Sequence, residues 1–223
     1  MPLRTIVYVD GFNLYYRALK DTGFKWLDLK SLFTTILPQH QITAIKYYTA
    51  NVSSAISAGG PARQQIYIDA LATSSEVQIF KGNFLVNSTW GHLDQPLQFR
   101  PAATTIQIVP PPIKARIVKS EEKGSDVNLA SHLVNDGWKD VFDVAVVVSN
   151  DTDLVEPIRI VTHELGKPVG VIFPVQKPRR PAVSLVNIAS FIKRLRPNSL
   201  VASQFPDRIT TTSGKIITKP ALW

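Results

Sequence analysis

The chain has no cysteine, four histidines and one methionine in 223 residues. Without cysteine, disulfide staples and Cys-based zinc sites are excluded. Four histidines leave little material for a His-rich metal centre, and His40, His92, His132 and His163 show no ligand spacing, so all four are expected to be structural or surface residues. Any metal must therefore be held mainly by oxygen. No continuous apolar segment approaches the roughly 20 residues that cross a bilayer. The N-terminus passes straight into a strand-like run without the apolar h-region and small-residue cleavage site of a signal peptide, and the expectation is a soluble, cytoplasmic protein with no membrane partner. A G-x-S-x-G elbow, a Walker A loop and a G-x-G-x-x-G fingerprint are also missing, which leaves no protein nucleophile constellation and little support for nucleotide-dependent phosphoryl transfer.

What is present is enough apolar material for one globular unit, at 44% hydrophobic residues, and a basic excess: 25 Lys and Arg against 17 Asp and Glu, a formal charge of +8. A field of that sign attracts polyanions, of which nucleic acid is the commonest in a cytoplasm, although simple solubility explains the charge alone equally well.

The chain reads as alternating strands and helices. Thr5–Val9 (TIVYV) is a short β-rich run ending in Asp10-Gly11, and Leu14, Ala18 and Leu19 follow at helical spacing. Asp28 is an N-cap candidate for a helix through Leu29, Leu32, Phe33 and Ile36, stopping at Pro38. Ile42–Ala50 is a second strand. Pro61 suits the first turn of a third helix, and Glu76–Phe80 returns as a strand. This alternation predicts a three-layer α/β/α fold, with a mostly parallel central sheet and helices on both faces. Residues 81–119 break the pattern with Gly and Pro, and read as an irregular or hairpin insertion in which Ile106–Val109 pairs with Ile113–Val118. This insertion carries Trp90, His92, Phe99 and Arg100 to a rim beside the active edge. Asp126 opens a helix running to Gly137. Val144–Val148 is a buried strand, Val169–Phe173 another, and Val183–Leu195 reads as a final amphipathic helix. The domain is expected to span 1–196, with 197–223 a polar, Thr-rich extension of little regular structure.

Acidic residues gather where such a sheet binds ligands, beyond the carboxyl ends of its strands. Asp10 ends the first strand, Asp151 and Asp153 follow the VAVVV strand, and Asp126 opens the preceding helix. Taken singly each has a structural explanation: Asp10-Gly11 is a turn, Asp126 a helix cap, and Asp153 with Glu156 a capping box. Together they are costly. Two carboxylates about 5 Å apart repel by roughly 3 kcal/mol at an effective dielectric near 20, so a cation is expected among them. Mg²⁺ or Mn²⁺ suits an oxygen-only donor set, lowers the pKa of a bound water and neutralises phosphate charge.

Three segments carry a family resemblance: YVDGFNLYYRAL (Tyr8–Leu19), EKGSDVNLASHLV (Glu122–Val134) and DVAVVVSNDTDLVEPI (Asp143–Ile158). In this order they resemble the signature blocks of the NYN domain, a branch of the PIN-like nuclease superfamily, and the later VGVIF and LVNIASFIKRL segments are similar to its closing elements. The resemblance covers most of residues 4–196. It implies a PIN-like, Rossmannoid fold and metal-dependent ribonuclease activity, with Asp10, Asp126, Asp151 and Asp153 as metal-binding acids and Asn13 as the amide beside the first of them. Asn150 stands where many relatives have Gly, Leu154 where many have an aromatic, and Ser190 where an acid is frequent, so no ligand is expected from the last helix. Glu121 and Glu122 read as solvated, Glu122 being a reserve ligand. Lys123 and the loop of Lys177, Arg179 and Arg180 are candidates to contact RNA phosphates, while Lys193, Arg194 and Arg196 complement a helix end.

The reading is thus a ribonuclease that cleaves single-stranded or structured RNA with carboxylate-bound Mg²⁺ or Mn²⁺. The alternatives are an RNA-binding or protein-recruiting module with weak or no catalysis and, less favoured, a phosphatase of small phosphates. Association into homo-oligomers is left open.

Overall fold

β1 (Leu3–Asp10) is apolar on both faces, and this sets the architecture. In the computed structural model, which describes residues 2–52, 59–95, 97–99, 110–174 and 180–223, Val7 and Val9 enter one core layer while Ile6 and Tyr8 enter another. Successive side chains of a strand point to opposite faces, and a strand buried on both belongs inside a parallel sheet covered on both sides. β2 (His40–Ala50) and β5 (Val144–Val148) flank β1 in parallel. With β3 (Val77–His92), β4 (Lys114–Lys123), β6 (Val169–Phe173) and β7 (Phe191–Arg194), the sheet order is β4-β3-β2-β1-β5-β6-β7. All pairs are parallel except β3 with β4.

Helices cover both faces. One layer packs Val7, Val9 and Val146 against α1 (Gly11–Leu14) and the π-helical turn Tyr15–Leu19 that continues it, α2 (Leu29–Ile36) and α3 (Gly60–Leu71). The other packs Ile6, Tyr8, Ala145 and Val147 against α4 (Ser125–Trp138), α5 (Val155–Arg159) and the π turn Ile160–Glu164 that follows it. On this second side Tyr8 donates its hydroxyl hydrogen to Asp136 at 2.6 Å, and Lys46 reaches the same oxygen at 2.5 Å. The expected three-layer α/β/α arrangement is therefore present, and no described helix is long and apolar enough to cross a membrane. Asp28 caps α2 as expected, accepting from Ser31 N at 3.1 Å.

The chain departs from the sequence reading in four places. The strand expected to end at Phe80 continues to His92: β3 pairs with β2 up to Gly82, then leaves it and pairs antiparallel with β4. Ile113–Val118 thus has the far half of β3 as its partner, while Ile106–Val109 lies outside the described residues, as does Arg100. The resulting arm spans about 30 Å at 3.3 Å per residue. The helix expected over Val183–Leu195 is two elements, α6 (Val183–Ile188) and β7. Ser190 causes the break, donating its N–H to Val169 O at 2.8 Å while its Oγ accepts from Val169 N at 3.1 Å. Open hydrogen-bonding groups along β6 outweigh helical periodicity here, and Phe191 lies over Gly170, where even a methyl group would sit 2.1 Å from the ring. Lys193 and Arg194 are consequently strand residues.

The extension after 196 is ordered. α7 (Pro197–Ala202) and a hairpin of β8 (Arg208–Thr210) and β9 (Ile216–Thr218) bring Leu200 and Ile217 into the first core layer. Trp26 donates its indole hydrogen to Pro206 O at 2.9 Å, and the Trp223 ring packs 6.3 Å from that of Trp26. Lastly, the helical turn after β5 is capped by Asp151, whose carboxylate accepts from Asp153 N at 3.2 Å. The anticipated capping box on Asp153 is not formed, and Glu156 pairs with Arg159 instead.

Candidate metal centre

Parity along two neighbouring strands builds the site. Asp10 has the parity of Ile6 and Tyr8, and Ser149 that of Ala145 and Val147, so both turn toward the face covered by α4. Asp126 stands one helical turn before Leu129, which is buried on that same face. Sheet order reverses between β1 and β5, one chain segment leading outward to β2 and the other to β6, which makes their carboxyl ends the topological switch point. There Asp10, Asp126 and Asp151 each place a carboxylate oxygen within 4.8 Å of the others.

Fixed hydrogen bonds hold the cluster. Asp10, only 4% exposed, accepts from Asn13 N at 2.8 Å and from Ser149 Oγ at 2.9 Å. Asp151 N donates to the same Ser149 Oγ at 3.1 Å, so one hydroxyl joins two of the acids. Asn13 Oδ1 accepts from Asn150 N at 3.0 Å, tying the β1–α1 turn to the β5 turn, and Asn150 Oδ1 accepts from Ala182 N at 2.8 Å. Glu122 caps α4 by accepting from Ser125 N at 3.0 Å, across a Gly124 with φ 97°. Gly82 lies so close that a side chain there would meet Glu122 and the backbone of Lys123.

Electrostatics at this edge are uncompensated. Burial raises the pKa of Asp10, opposed by the Asn13 and Ser149 hydrogen bonds and reinforced by Asp151 and Glu122. Asp126 is pushed up to about 6, first by burial and then by the charges of Asp10, Asp151, Glu122 and Asp153. Among the described residues no Lys or Arg forms an ion pair with Asp10, Asp126 or Asp151, and at their separation each pair repels by about 3 kcal/mol at an effective dielectric near 20. A cluster of carboxylates with this spacing and no cationic partner is suited to a divalent cation.

The structure unites Asp10, Asp126, Asp151 and Asn13. Asp153 lies in the helical turn after Asp151, exposed and outside the trio, and reaches Asp126 through its charge. Lys123 pairs with Glu121 at 3.1 Å at the root of the arm. Arg180 is exposed, and Lys177 and Arg179 lie outside the described residues. His40 bonds Thr5 and His132 bonds Tyr48, in keeping with structural histidines. Ser149 and the capping role of Glu122 were not anticipated; the one available signal was a small hydroxyl residue ending an all-apolar strand.

Three comparisons bear on this geometry. The family model of the NYN domain matches residues 4–195. The 6-hydroxy-3-succinoylpyridine 3-monooxygenase HspA of Pseudomonas putida (strain DSM 28022 / S16) is 32% identical over 245 aligned residues, which take in 100% of this chain and 76% of that one. A crystal structure of a protein of unknown function from Vibrio parahaemolyticus RIMD 2210633 superposes with a TM-score of 0.52 at 14% identity, covering 88% of this chain and 95% of the other, and shares the fold.

Proposed function

The chain belongs to the NYN domain family, whose fold is nuclease-like, and from that premise we propose that it is a metal-dependent ribonuclease whose centre is the trio of Asp10, Asp126 and Asp151. The observation that carries the reading is the meeting of three carboxylates from three separate elements at the switch point, within 4.8 Å and without a cationic partner. Oxygen donors alone favour Mg²⁺ or Mn²⁺. Bound there, such an ion supplies an activated water and neutralises charge on the scissile phosphate. The protein's part is to hold the donors still. Asn13 N–H and Ser149 Oγ–H fix the two oxygens of Asp10, the cap on Asp153 N fixes Asp151, and α4 presents Asp126. Asp153 adds negative charge at the rim, and the basic excess of the chain, with Lys123 and Arg180 near the same edge, supplies attraction for RNA.

The direct test is labelled RNA and DNA incubated with the purified protein in Mg²⁺, Mn²⁺ or chelator, with Asp10→Asn alongside. Cleavage of RNA that needs the ion and is lost in the variant is the expected result. Binding of RNA without cleavage under every condition would sink the enzyme reading and leave a recruiting module.

One observation favours a second reading. The Pseudomonas putida relative aligned over the whole chain is named as a monooxygenase of a substituted pyridine, so oxygenation of a small heteroaromatic at the same acidic centre is the competing activity. Oxygen uptake with hydroxypyridines and an added reductant, in protein that leaves RNA intact, would select it.

A further inference from the structure

On the face of the sheet opposite the acids, a cavity of about 290 Å³ opens between α1, the π turn after it and α3. Its walls include Tyr15, Tyr47 and Tyr67, and Tyr16 stands at 52% exposure beside them. Lys20, Lys25 and Arg63 also line it, and no Asp or Glu side chain does among the described residues. Lys20 already lies 5.3 Å over the Tyr16 ring. The floor touches Gly11, where a side chain would clash with the Tyr47 ring at 2.7 Å and with Tyr48 O at 2.6 Å. Gly11 directly follows Asp10, so one peptide, about 3.8 Å of chain, separates the cavity floor from the acidic centre.

We infer that this cavity is a second binding site, for a planar aromatic ring carrying an anionic group. Aromatic walls hold a ring by stacking and edge contacts, and the three cations select an attached negative charge. The volume lies at the small end of the about 300–1,000 Å³ typical of small-molecule sites. It accepts one ring system with its substituent and is too small for a dinucleotide. Two sources present this chemistry: a nucleotide, whose base enters the cavity while its phosphate faces the cations, and a free aromatic carboxylate. The first rests on the ribonuclease reading; the site itself does not.

The test is calorimetric titration in chelator, with AMP and UMP in one arm, benzoate and nicotinate in the other, and adenosine and benzamide as neutral controls. Saturable one-to-one binding is expected for at least one anionic class at a Kd of about 1 mM or tighter, weakened about tenfold or more by Tyr16→Ala and by Lys25→Met, and weaker for the neutral analogue. Nucleotide binding alone identifies a base subsite, and carboxylate binding alone a metabolite site. Absence of saturable binding in both arms overturns the inference, as does binding that neither substitution alters. Because Asp126→Asn is expected to bind these probes like the parent, loss of RNA cleavage and loss of cavity binding are separate results.

Discussion

Replacing Asp126 by Asn tests the electrostatic account of the centre without any substrate. Asp126 has an ordinary pKa of 3.8 and is raised to about 6 in the folded protein. The folded state therefore binds the proton more tightly than the unfolded one between these values. Stability of the metal-free protein should fall as pH rises from about 4 to about 6, and the penalty should be complete above that window. At 1.36 kcal/mol per pH unit the full differential is about 3 kcal/mol. The side chain is only half-buried, so solvent screening reduces this to about 1–2 kcal/mol. Asp126→Asn removes the charge and keeps the shape. In chelator at pH 7.5 it should melt higher than the parent, by about 2–4 °C per kcal/mol for a chain of this length. At pH 4 the two proteins should melt together. Added Mg²⁺ or Mn²⁺ should reverse the order, raising the Tm of the parent while leaving the variant nearly unmoved, because only the folded parent gains from the ion. Melting scans from pH 4 to 8, with and without the ion, read all of this. A variant that is less stable than its parent in chelator at pH 7.5, by an amount independent of pH, would show instead that Asp126 is a structural hydrogen-bonding residue and not one of a set of repelling charges.

Other consequences are equally open to measurement. Lys46→Met strands the buried Asp136 carboxylate and should cost about 3–5 kcal/mol in urea unfolding, while adding Asp136→Asn should recover much of the loss. Ser149→Ala removes the hydroxyl shared by Asp10 and Asp151 N and should lower metal affinity or cleavage about 10–100-fold; an unchanged metal titration would show that the hydroxyl does not orient the acids. On the arm, Trp90 is 67% exposed and faces Arg116 across the β3–β4 register. Trp90→Ala with Arg116→Ala should weaken RNA binding and flatten its salt dependence without altering the melting temperature, and an unaltered salt slope would remove the arm from the interface.

The strands at the centre were legible because burial on both faces leaves an unbroken apolar run, as in Val144–Val148, and the site because several acids gathered at the ends of such runs are costly together although each alone has a structural use. Which acid of the pair Asp151 and Asp153 turns inward was not legible. That choice depends on the helical turn beginning at Asp151, a matter of two backbone angles. Phe191–Arg194 escaped for a different reason: its apolar spacing fits a helix, and only the open edge of β6 and the space above Gly170 make it a strand. The long arm was hidden because its partners, such as Trp90 and Arg116, pair across a segment rich in proline. Ordering of the tail depends on Trp26, Leu200 and Ile217 meeting in one layer, and nothing local in a Thr-rich stretch announces that contact.

The pairing of β1 with β5 also bears on how the molecule is made. Ser149 and Asp10 are 139 residues apart in the chain, and contacts of such separation form slowly because loop closure must precede them. β1, β2 and β3 can assemble from residues 3–92, leaving one edge of Leu3–Val9 without a partner until residues 144–148 arrive. A bare apolar edge is a template for pairing with other chains. Production at lower temperature or slower synthesis should therefore raise the yield of soluble protein more than any substitution at the acidic centre does.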